Sequence, residues 1–332
     1  MKVTVLGAGA WGTAFGQVLA DAGNDVTMWA REPEIVESIR DKHYNGVRLP
    51  SVKQLPDNMT ATGERAEAVN DAQIVVVAIA AQHAREALEP FAPFIGSQTI
   101  VVSLMKGIER TTGKRMDEVV REALGNLPAG RFAAVSGPNL SKEVADRQPG
   151  ATVVACADID NAKIVAQACK TPYFKAFVTT DVIGVEMCGS LKNVVALAVG
   201  MARGAGYGEN TAAMIETRGL AELAALGKAT HAEAKTFQGL AGVGDLIATC
   251  GSPLSRNYTF GANLGKGMSV EEATKVSNGV AEGVPTTEAV VRMGAELGVP
   301  TPLASAMNKV LKQGLTCEQM LSELVKGDIT EE

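Results

Sequence analysis

Hydrophobic and polar positions follow different patterns in the two halves of the chain. Up to about residue 180, short apolar runs such as 73–80 and 98–107 alternate with segments of helical periodicity. A continuous apolar run bounded by turns is typical of a parallel strand that is covered by helices on both faces. After Asp181 the apolar positions recur at helical spacing only. The pattern predicts an α/β Rossmann-type domain with a mostly parallel sheet at 1–180, and an all-α domain at 181–332.

The first strand and the turn behind it carry the most specific local signal. An apolar, β-prone run at 2–6 is followed by glycines at G-x-G-x-x-G spacing and then by helical periodicity. In this context, free N–H groups at the helix N-terminus bind a pyrophosphate, and the glycines let the backbone approach it. A glycine-rich turn in another α/β protein is the alternative. The predicted cofactor turn contains Gly7, Gly9, Ala10 and Gly12.

The end of the second predicted strand, near Ala30, bears on the choice of cofactor. In a Rossmann domain this point meets the adenosine ribose, where an acidic side chain favours NAD and an arginine accommodates the additional phosphate of NADP. Arg31 stands here and is followed by Glu32. The sequence therefore favours NADP(H) and leaves NAD(H) as the second cofactor. A solvated Arg31–Glu32 pair on the surface is the alternative.

Two lysines lie where chemistry is expected. Lys106 follows a buried strand, at the edge where open α/β sheets bind ligands, although a plain surface lysine fits this position equally well. Lys192 interrupts the apolar helix predicted at 182–201. Burial and a neighbouring cation both lower the pKa of a lysine, which then donates and accepts protons near neutrality. A lysine that extends to the helix edge is the alternative.

Polar groups also cluster after residue 239. The glycine-rich segment 239–250 carries one carboxylate, Asp245, with Thr249 one helical turn further on. Ser255, Arg256 and Asn257 then place a hydroxyl, a guanidinium and an amide at a predicted helix start. Such a start is a suitable anion or phosphate site. A Ser255 cap with solvent-exposed neighbours is the alternative.

A second strand–turn–helix edge is predicted around Gly137, after a strand that ends near Val135. The helix behind it is expected to begin near Leu140. Asn139 or Ser141 is expected to cap this helix with its side chain.

Composition excludes several classes of function. A chain of 332 residues suggests two domains, and a net charge of -6 without a basic block argues against nucleic acid or an anionic membrane as partner. The five cysteines are scattered, which favours free thiols in a reducing cytosol, and the three histidines lack metal-ligand spacing, so we expect no metal. We also expect no signal peptide, because the apolar N-terminus carries the glycine turn and no small-residue cleavage pattern. We expect no membrane insertion, because no apolar run reaches about 18 residues.

Seven segments occur in an order that resembles a known family: GAGAWGTA, SLMKGIE, SGPNLSKEVA, GSLKNVVALAVG, GLAGVGDLIATC, SRN and VAEGVPT. Over its whole length the chain resembles the bacterial soluble NAD(P)-dependent glycerol-3-phosphate dehydrogenases. The resemblance implies reversible hydride transfer between NAD(P)H and dihydroxyacetone phosphate, giving sn-glycerol 3-phosphate for phospholipid synthesis. It also implies a cytoplasmic homodimer.

The same resemblance implies roles for individual residues. Lys192 is the implied proton-transfer residue, and Asn193 and Thr249 are implied to lie near the site. Met105 departs from the threonine expected before Lys106, and Asn139 stands where serine or threonine is more usual. The implied cofactor contacts, beside the glycine turn, are Trp11, Arg31, Lys106, Ser141, Arg256, Val280 and Glu282. The implied substrate contacts are Lys106, Gly137, Asn139, Lys192, Asp245, Ser255, Arg256 and Asn257.

Two other functions fit the same layout. A different two-domain dehydrogenase, acting on a hydroxyacid or a hydroxyacyl-CoA, would not need the Ser255–Asn257 phosphate site. A non-catalytic nucleotide-sensing protein would not need Lys106, Lys192 and Asp245 together.

Overall fold

A computed structural model describes residues 1–277, 279 and 281–326. In this part of the chain, eight strands form one sheet in the order β3-β2-β1-β4-β5-β6-β7-β8, with neighbours parallel except for the β6–β7 pair. The predicted mostly parallel sheet is therefore confirmed. The strands are β1 (Lys2–Leu6), β2 (Asp25–Trp29), β3 (Met59–Thr62), β4 (Ile74–Val77), β5 (Ile100–Ser103), β6 (Phe132–Ser136), β7 (Gly150–Cys156) and β8 (Phe174–Thr179).

The central strands are shorter than the apolar runs that predicted them. β5 ends at Ser103 rather than Gly107, although Leu104 and Met105 are still buried. Apolar character thus continues past the strand because the loop behind it is also covered. Lys106 consequently lies in this loop, three residues beyond the strand. Met105, at the position that departs from the family pattern, packs in the core.

Besides three short 3₁₀ helices and one π-helical turn, the described part of the chain also contains sixteen α-helices. They are α1 (Ala10–Asp21), α2 (Pro33–Lys42), α3 (Arg65–Ala68), α4 (Ala84–Leu88), α5 (Met116–Ala123), α6 (Ser141–Ala145), α7 (Ile159–Ala168), α8 (Val182–Gly204), α9 (Glu209–Ala229), α10 (Ala234–Phe237), α11 (Asp245–Cys250), α12 (Arg256–Gly265), α13 (Val270–Val276), α14 (Gly283–Leu297), α15 (Pro302–Gln313) and α16 (Cys317–Val325). Those up to α7 alternate with the strands, and those from α8 onward form a helical region.

The sheet separates two apolar cores. Ile74 and Val76 of β4 enter the core on one face, whereas Val75 and Val77 enter the core on the other face. The second core continues without interruption into the helical region, where it includes most of α8. Shared apolar packing therefore joins the sheet to the helices and fixes their relative position.

Helix α8 is the centre of the helical region. Every residue from Gly184 to Ala202 is buried. The helix is long and apolar enough to cross a membrane, but 89% of its most apolar window is buried inside the protein. It is therefore a core helix, as its all-round apolar sequence predicts.

Glycines bring α8 and α12 into direct backbone contact. A Cβ on Gly200 would lie 2.1 Å from the carbonyl oxygen of Tyr258, and one on Gly261 would lie 2.0 Å from that of Leu197. Any side chain at these positions would therefore push the two helices apart. Their close approach places the start of α12 against the middle of α8, where Lys192 lies.

Candidate active site

The predicted cofactor turn lies between β1 and α1, where the strand order reverses between β1 and β4. Gly7 has a φ of +111°, and a Cβ on it would lie 2.5 Å from the carbonyl oxygen of Ala78. A Cβ on Gly12 would lie 2.2 Å from the carbonyl oxygen of Gly7, whereas nothing lies within 4 Å of the Cβ position of Gly9. The fold thus requires glycine at positions 7 and 12, whereas the space beside Gly9 is open.

The N-terminus of α1 suits a pyrophosphate. Gly9 is its N-cap, and no side chain caps the helix. Ala10 and Trp11 begin the helix, so their N–H groups lie among those that a helix leaves without an internal partner. An open cradle next to uncapped N–H groups fits a dinucleotide.

The predicted adenosine end lies just beyond β2. Arg31 is exposed there, two residues after Trp29. Among the described ion pairs, Glu32 pairs with Arg48 at 3.5 Å and not with Arg31. Arg31 and Glu32 therefore form no direct ion pair, but the exposed position of Arg31 also fits a solvated surface arginine, so its cofactor role stays a prediction.

One carboxylate joins two lysines, one from the loop after β5 and one from α8. Lys192 Nζ donates to Asp245 Oδ1 at 2.5 Å and also donates to Thr249 Oγ1. Lys106 Nζ donates to Asp245 Oδ2 at 2.6 Å and to the Gly137 carbonyl oxygen at 3.2 Å. The structure therefore brings five predicted site residues together at one point.

Burial controls the electrostatics of this cluster. Lys192 is 5% exposed and Asp245 2% exposed, so the alternative of a lysine that extends to the helix edge is wrong. Burial lowers the pKa of Lys192 to about 8; Asp245 opposes this shift and Lys106 adds to it. Burial alone would raise the pKa of Asp245, but the two ammonium groups hold it below its ordinary value. With both lysines protonated, the cluster carries a net positive charge that suits an anionic substrate.

Local backbone structure aims Asp245 at the lysines. The glycine-rich segment before it forms a π-helical turn at Leu240–Gly244, and a Cβ on Gly242 would lie 2.0 Å from the Phe237 carbonyl oxygen. Single π turns are frequent at functional sites. Thr249, one turn along α11, donates to Asp245 Oδ1 at 3.2 Å and so shares the cluster.

Ser136 is a member of the cluster that the sequence did not single out. Its hydroxyl donates to Asp245 Oδ2 at 3.3 Å. Gly189 makes room for it, because a Cβ there would lie 2.6 Å from the Ser136 Oγ. The available signal was its place at the end of a buried strand, the same signal that selected Lys106.

A chain of amide groups ties the cluster to the rest of the helical region. Asn193 Nδ2 donates to the Lys106 carbonyl oxygen at 3.3 Å, and Asn257 Nδ2 donates to Asn193 Oδ1 at 2.9 Å. Asn257 Oδ1 in turn accepts from the Gly283 N–H at 2.8 Å. Both amide side chains are therefore committed to holding the loop of Lys106, α8, α12 and α14 together.

The start of α12 is only partly as expected. Ser255 caps the helix by accepting from the Tyr258 N–H at 3.2 Å. Asn257 is 8% exposed, so the alternative of a cap with solvent-exposed neighbours is wrong for this residue. Arg256 is exposed, and its Nη1 lies 3.2 Å from the Cβ position of Gly279.

Glu282 forms another contact between the helical region and the sheet edge. Its Oε1 accepts from the Ala81 N–H, beyond β4, at 3.1 Å. Burial raises the pKa of Glu282, and Arg256 partly opposes this shift. The predicted cofactor contact Val280 lies outside the described residues.

The edge after β6 corrects one prediction. Asn139 Nδ2 donates to the Ala151 carbonyl oxygen at 3.0 Å, and its Oδ1 accepts from Thr152 Oγ1 at 2.8 Å. Leu140 is the N-cap of α6, no side chain caps that helix, and Ser141 is its first residue. The predicted cap by Asn139 or Ser141 is therefore wrong, because β7 already engages the Asn139 amide.

Comparison with known proteins identifies one family along most of the chain. The family model for the N-terminus of NAD-dependent glycerol-3-phosphate dehydrogenase matches residues 2–162, and the model for its C-terminus matches 181–322. A Bifidobacterium longum subsp. infantis protein named glycerol-3-phosphate dehydrogenase [NAD(P)+] is 76% identical over 331 residues, covering 100% of this chain and 99% of its own. A Corynebacterium jeikeium protein with the same name is 47% identical over 98% of both chains.

Solved structures give the same result. The crystal structure of glycerol-3-phosphate dehydrogenase from Coxiella burnetii matches with a TM-score of 0.92 and 31% identity, over 98% of this chain and 99% of that one. D-mandelate dehydrogenase in its ternary structure shares the fold alone, with a TM-score of 0.61 and 17% identity over 98% of this chain and 100% of that one. The chain belongs to the NAD-dependent glycerol-3-phosphate dehydrogenase family.

Proposed function

We propose that this protein reversibly transfers a hydride between NAD(P)H and dihydroxyacetone phosphate, giving sn-glycerol 3-phosphate. Relatives that are similar over essentially the whole chain are named for this activity, and a phospholipid-synthesis role is consistent with the family. The observation that carries the proposal is the buried cluster in which Asp245 bonds both Lys106 and Lys192.

The cofactor supplies or accepts the hydride when it is bound, and the protein positions and polarises the substrate. Lys192 is the proposed catalytic residue. During reduction, negative charge develops on the carbonyl oxygen, and the Lys192 ammonium stabilises it and donates a proton. During oxidation the neutral amine takes the proton from the hydroxyl. With a pKa of about 8, Lys192 populates both its ammonium and its neutral amine form near neutrality.

The other members of the cluster prepare Lys192 for this task. Asp245 orients its ammonium, and Lys106 adds positive potential from the loop after β5 while lowering the pKa of Lys192. Ser136 and Thr249 hold the Asp245 carboxylate in place. Gly137 and Asn139 are proposed to contact substrate through the backbone, since the Asn139 amide is bonded to β7.

The phosphate of the substrate is proposed to bind at the start of α12. Ser255 and Asn257 already use their side chains within the protein, as helix cap and as partner of Asn193. The exposed Arg256 guanidinium and the N-terminal end of α12 are the groups left for a phosphate. Binding energy remote from the reacting carbon would orient that carbon toward Lys192.

The cofactor is proposed to extend from Arg31 to the lysine cluster, with NADP(H) favoured because Arg31 follows β2. Family membership is compatible with both NADP and NAD. The remaining proposed contacts are Gly7, Gly9, Ala10, Trp11, Gly12, Lys106, Ser141, Arg256, Val280 and Glu282. The bond from the Ala81 N–H to Glu282 places this carboxylate beside the sheet edge that carries the turn.

We further propose that residues 1–180 form the cofactor domain and 181–332 the substrate domain, which is supported by the change from strands to helices after β8. A cytoplasmic homodimer follows from the family resemblance, and light scattering on purified protein tests the dimer. A hydroxyacid dehydrogenase shares the fold but has no need of the phosphate site.

The test is reduction of dihydroxyacetone phosphate with NADPH and with NADH, monitored by loss of nicotinamide absorbance. Dihydroxyacetone without phosphate is the matched control, because it presents the same ketone. We expect kcat/KM for the phosphorylated ketone to be higher by at least about 100-fold, as for a charge-assisted phosphate contact. Equal rates would favour another dehydrogenase, and cofactor binding without turnover of any ketophosphate would favour a nucleotide sensor.

A further inference from the structure

A second arginine lies beside the predicted adenosine end of the cofactor site. Arg48 belongs to the segment between α2 and β3, and its Nη2 lies 3.5 Å from Oε1 of Glu32. Glu32 directly follows Arg31, the residue that favours NADP. The sequence did not single out Arg48, because it lies in an irregular segment, 16 positions away from its partner.

The segment that carries Arg48 is fixed to the cofactor turn. Asn45 is buried, and its Nδ2 donates to the Ala8 carbonyl oxygen at 3.0 Å and to Thr13 Oγ1 at 2.8 Å. The N–H groups of Arg48 and Leu49 donate to the Asn45 carbonyl oxygen at 3.3 and 2.8 Å. Arg48 is therefore held one backbone turn from a residue that contacts the glycine turn itself.

The Glu32 carboxylate has no capping task. It is the N-cap of α2, yet its side chain makes no capping bond, and Arg48 is its partner among the described ion pairs. Near the end of the second Rossmann strand, a carboxylate binds the ribose hydroxyls of NAD, whereas a guanidinium accommodates the phosphate of NADP. The chain therefore presents both chemistries side by side.

Resting on the proposed NAD(P)-dependent activity, we propose that Arg48 determines cofactor specificity by neutralising Glu32 and by sharing the 2′-phosphate of NADPH with Arg31. The side chains of Arg48 and Glu32 are exposed, at 47% and 38%, so their ion pair contributes little to stability. Arg48 can therefore readily exchange Glu32 for another partner. A phosphate offers Arg48 a stronger, charge-assisted partner. When NADH binds, no phosphate competes for Arg48, and Glu32 accepts a hydrogen bond from the ribose.

The test measures binding by calorimetry, so that it does not depend on turnover. The probes are adenosine 2′,5′-bisphosphate, which carries the NADPH-specific phosphate, and adenosine 5′-monophosphate, which lacks it. We expect Arg48→Ala to raise the Kd of the bisphosphate about tenfold or more and to leave that of the monophosphate unchanged, since one charge-assisted contact is lost. Arg40→Ala is the matched control, because Arg40 is an equally exposed arginine that pairs with Asp41.

Glu32→Gln separates the two roles of Arg48. Without the Glu32 charge there is nothing to neutralise, so Arg48→Ala is expected to lose less bisphosphate affinity in this background than in the wild type. In the assay, Arg48→Ala is expected to lower kcat/KM for NADPH while that for NADH is retained.

Two outcomes would overturn the role of Arg48: equal losses for both probes, or the same bisphosphate loss in Arg40→Ala. The outcomes also separate this proposal from the proposed function. Discrimination between the probes that depends on Arg48, in a protein that reduces no ketophosphate, would refute only the dehydrogenase activity. An active dehydrogenase whose probe discrimination survives Arg48→Ala would refute only the role of Arg48.

Discussion

The cofactor turn is formed by backbone atoms, whereas the lysine cluster of Lys106, Lys192 and Asp245 is formed by side chains. The turn at Gly7–Gly12 is backbone: its glycines avoid carbonyl contacts at 2.2 to 2.5 Å and leave uncapped N–H groups at α1. The cluster is side chain: Asp245 gathers groups from the loop after β5, from β6, from α8 and from α11. The first site depends on local geometry, and the second depends on how the sheet and the helices pack together.

This difference predicts how each site fails. A substitution in the turn should alter cofactor binding or folding, because the turn is formed by backbone atoms. A change in the cluster acts on charge and proton position while the fold stays intact, because the partners come from separate elements. Substitutions in both sites therefore test whether binding and chemistry are separable in this protein.

Lys192→Ala should have the largest effect. We expect turnover to fall by at least about 1000-fold, because both the proton donor and the charge on the developing oxyanion are lost. Cofactor affinity, measured by fluorescence titration of NADPH, should stay within about twofold, since the turn is not touched. Near-normal turnover would refute the catalytic role of Lys192. Lys312→Ala, an exposed lysine on α15, serves as control.

Asp245→Asn should have the next largest effect, a loss of about 100-fold in kcat. Asparagine has nearly the same size and shape as aspartate, so the loss reports on the charge. The amide cannot balance two ammonium groups, so the pKa of Lys192 should fall further once its raising partner is removed. The measurement is kcat against pH in both reaction directions. A rate equal to that of the wild type would show that Asp245 does not organise the lysines.

Gly9→Ala should weaken NADPH binding about tenfold, the cost of roughly one displaced hydrogen bond to the pyrophosphate. Its φ of -70° suits any residue and its Cβ position is open, so Tm should not change. Gly12→Ala is the matched contrast, because its Cβ meets the Gly7 carbonyl oxygen and should destabilise the fold by about 1–3 kcal/mol. Loss of Tm in Gly9→Ala would contradict the division between binding and fold.

The pH dependence of the wild type should give the smallest effect. With a Lys192 pKa of about 8, kcat/KM for oxidation should rise with pH and level off above that value, since the neutral amine is the base. For reduction it should fall above the same value, at most tenfold per pH unit, because the ammonium is then lost. Parallel profiles in the two directions would contradict a single proton-transfer group.

Much of the architecture could be predicted from the sequence. Continuous apolar runs indicated the buried strands, and the change to helical spacing after Asp181 indicated the helical region, because each element buries its own apolar face. Strand ends were less certain, since buried loop residues such as Met105 look like strand residues in sequence. Caps were also less certain, since Asn139 bonds a neighbouring strand rather than its own helix.

The sequence by itself determined the cofactor turn and the unusual lysine on an apolar helix, because both are properties of consecutive residues. Only the tertiary structure decided that Lys106 and Lys192 share one carboxylate, across separations of 139 and 53 positions from Asp245. It also decided that Ser136 joins them and that Arg48 faces Glu32. Such contacts depend on directions and distances that are set by packing, and no pattern of neighbouring residues in the sequence indicates them.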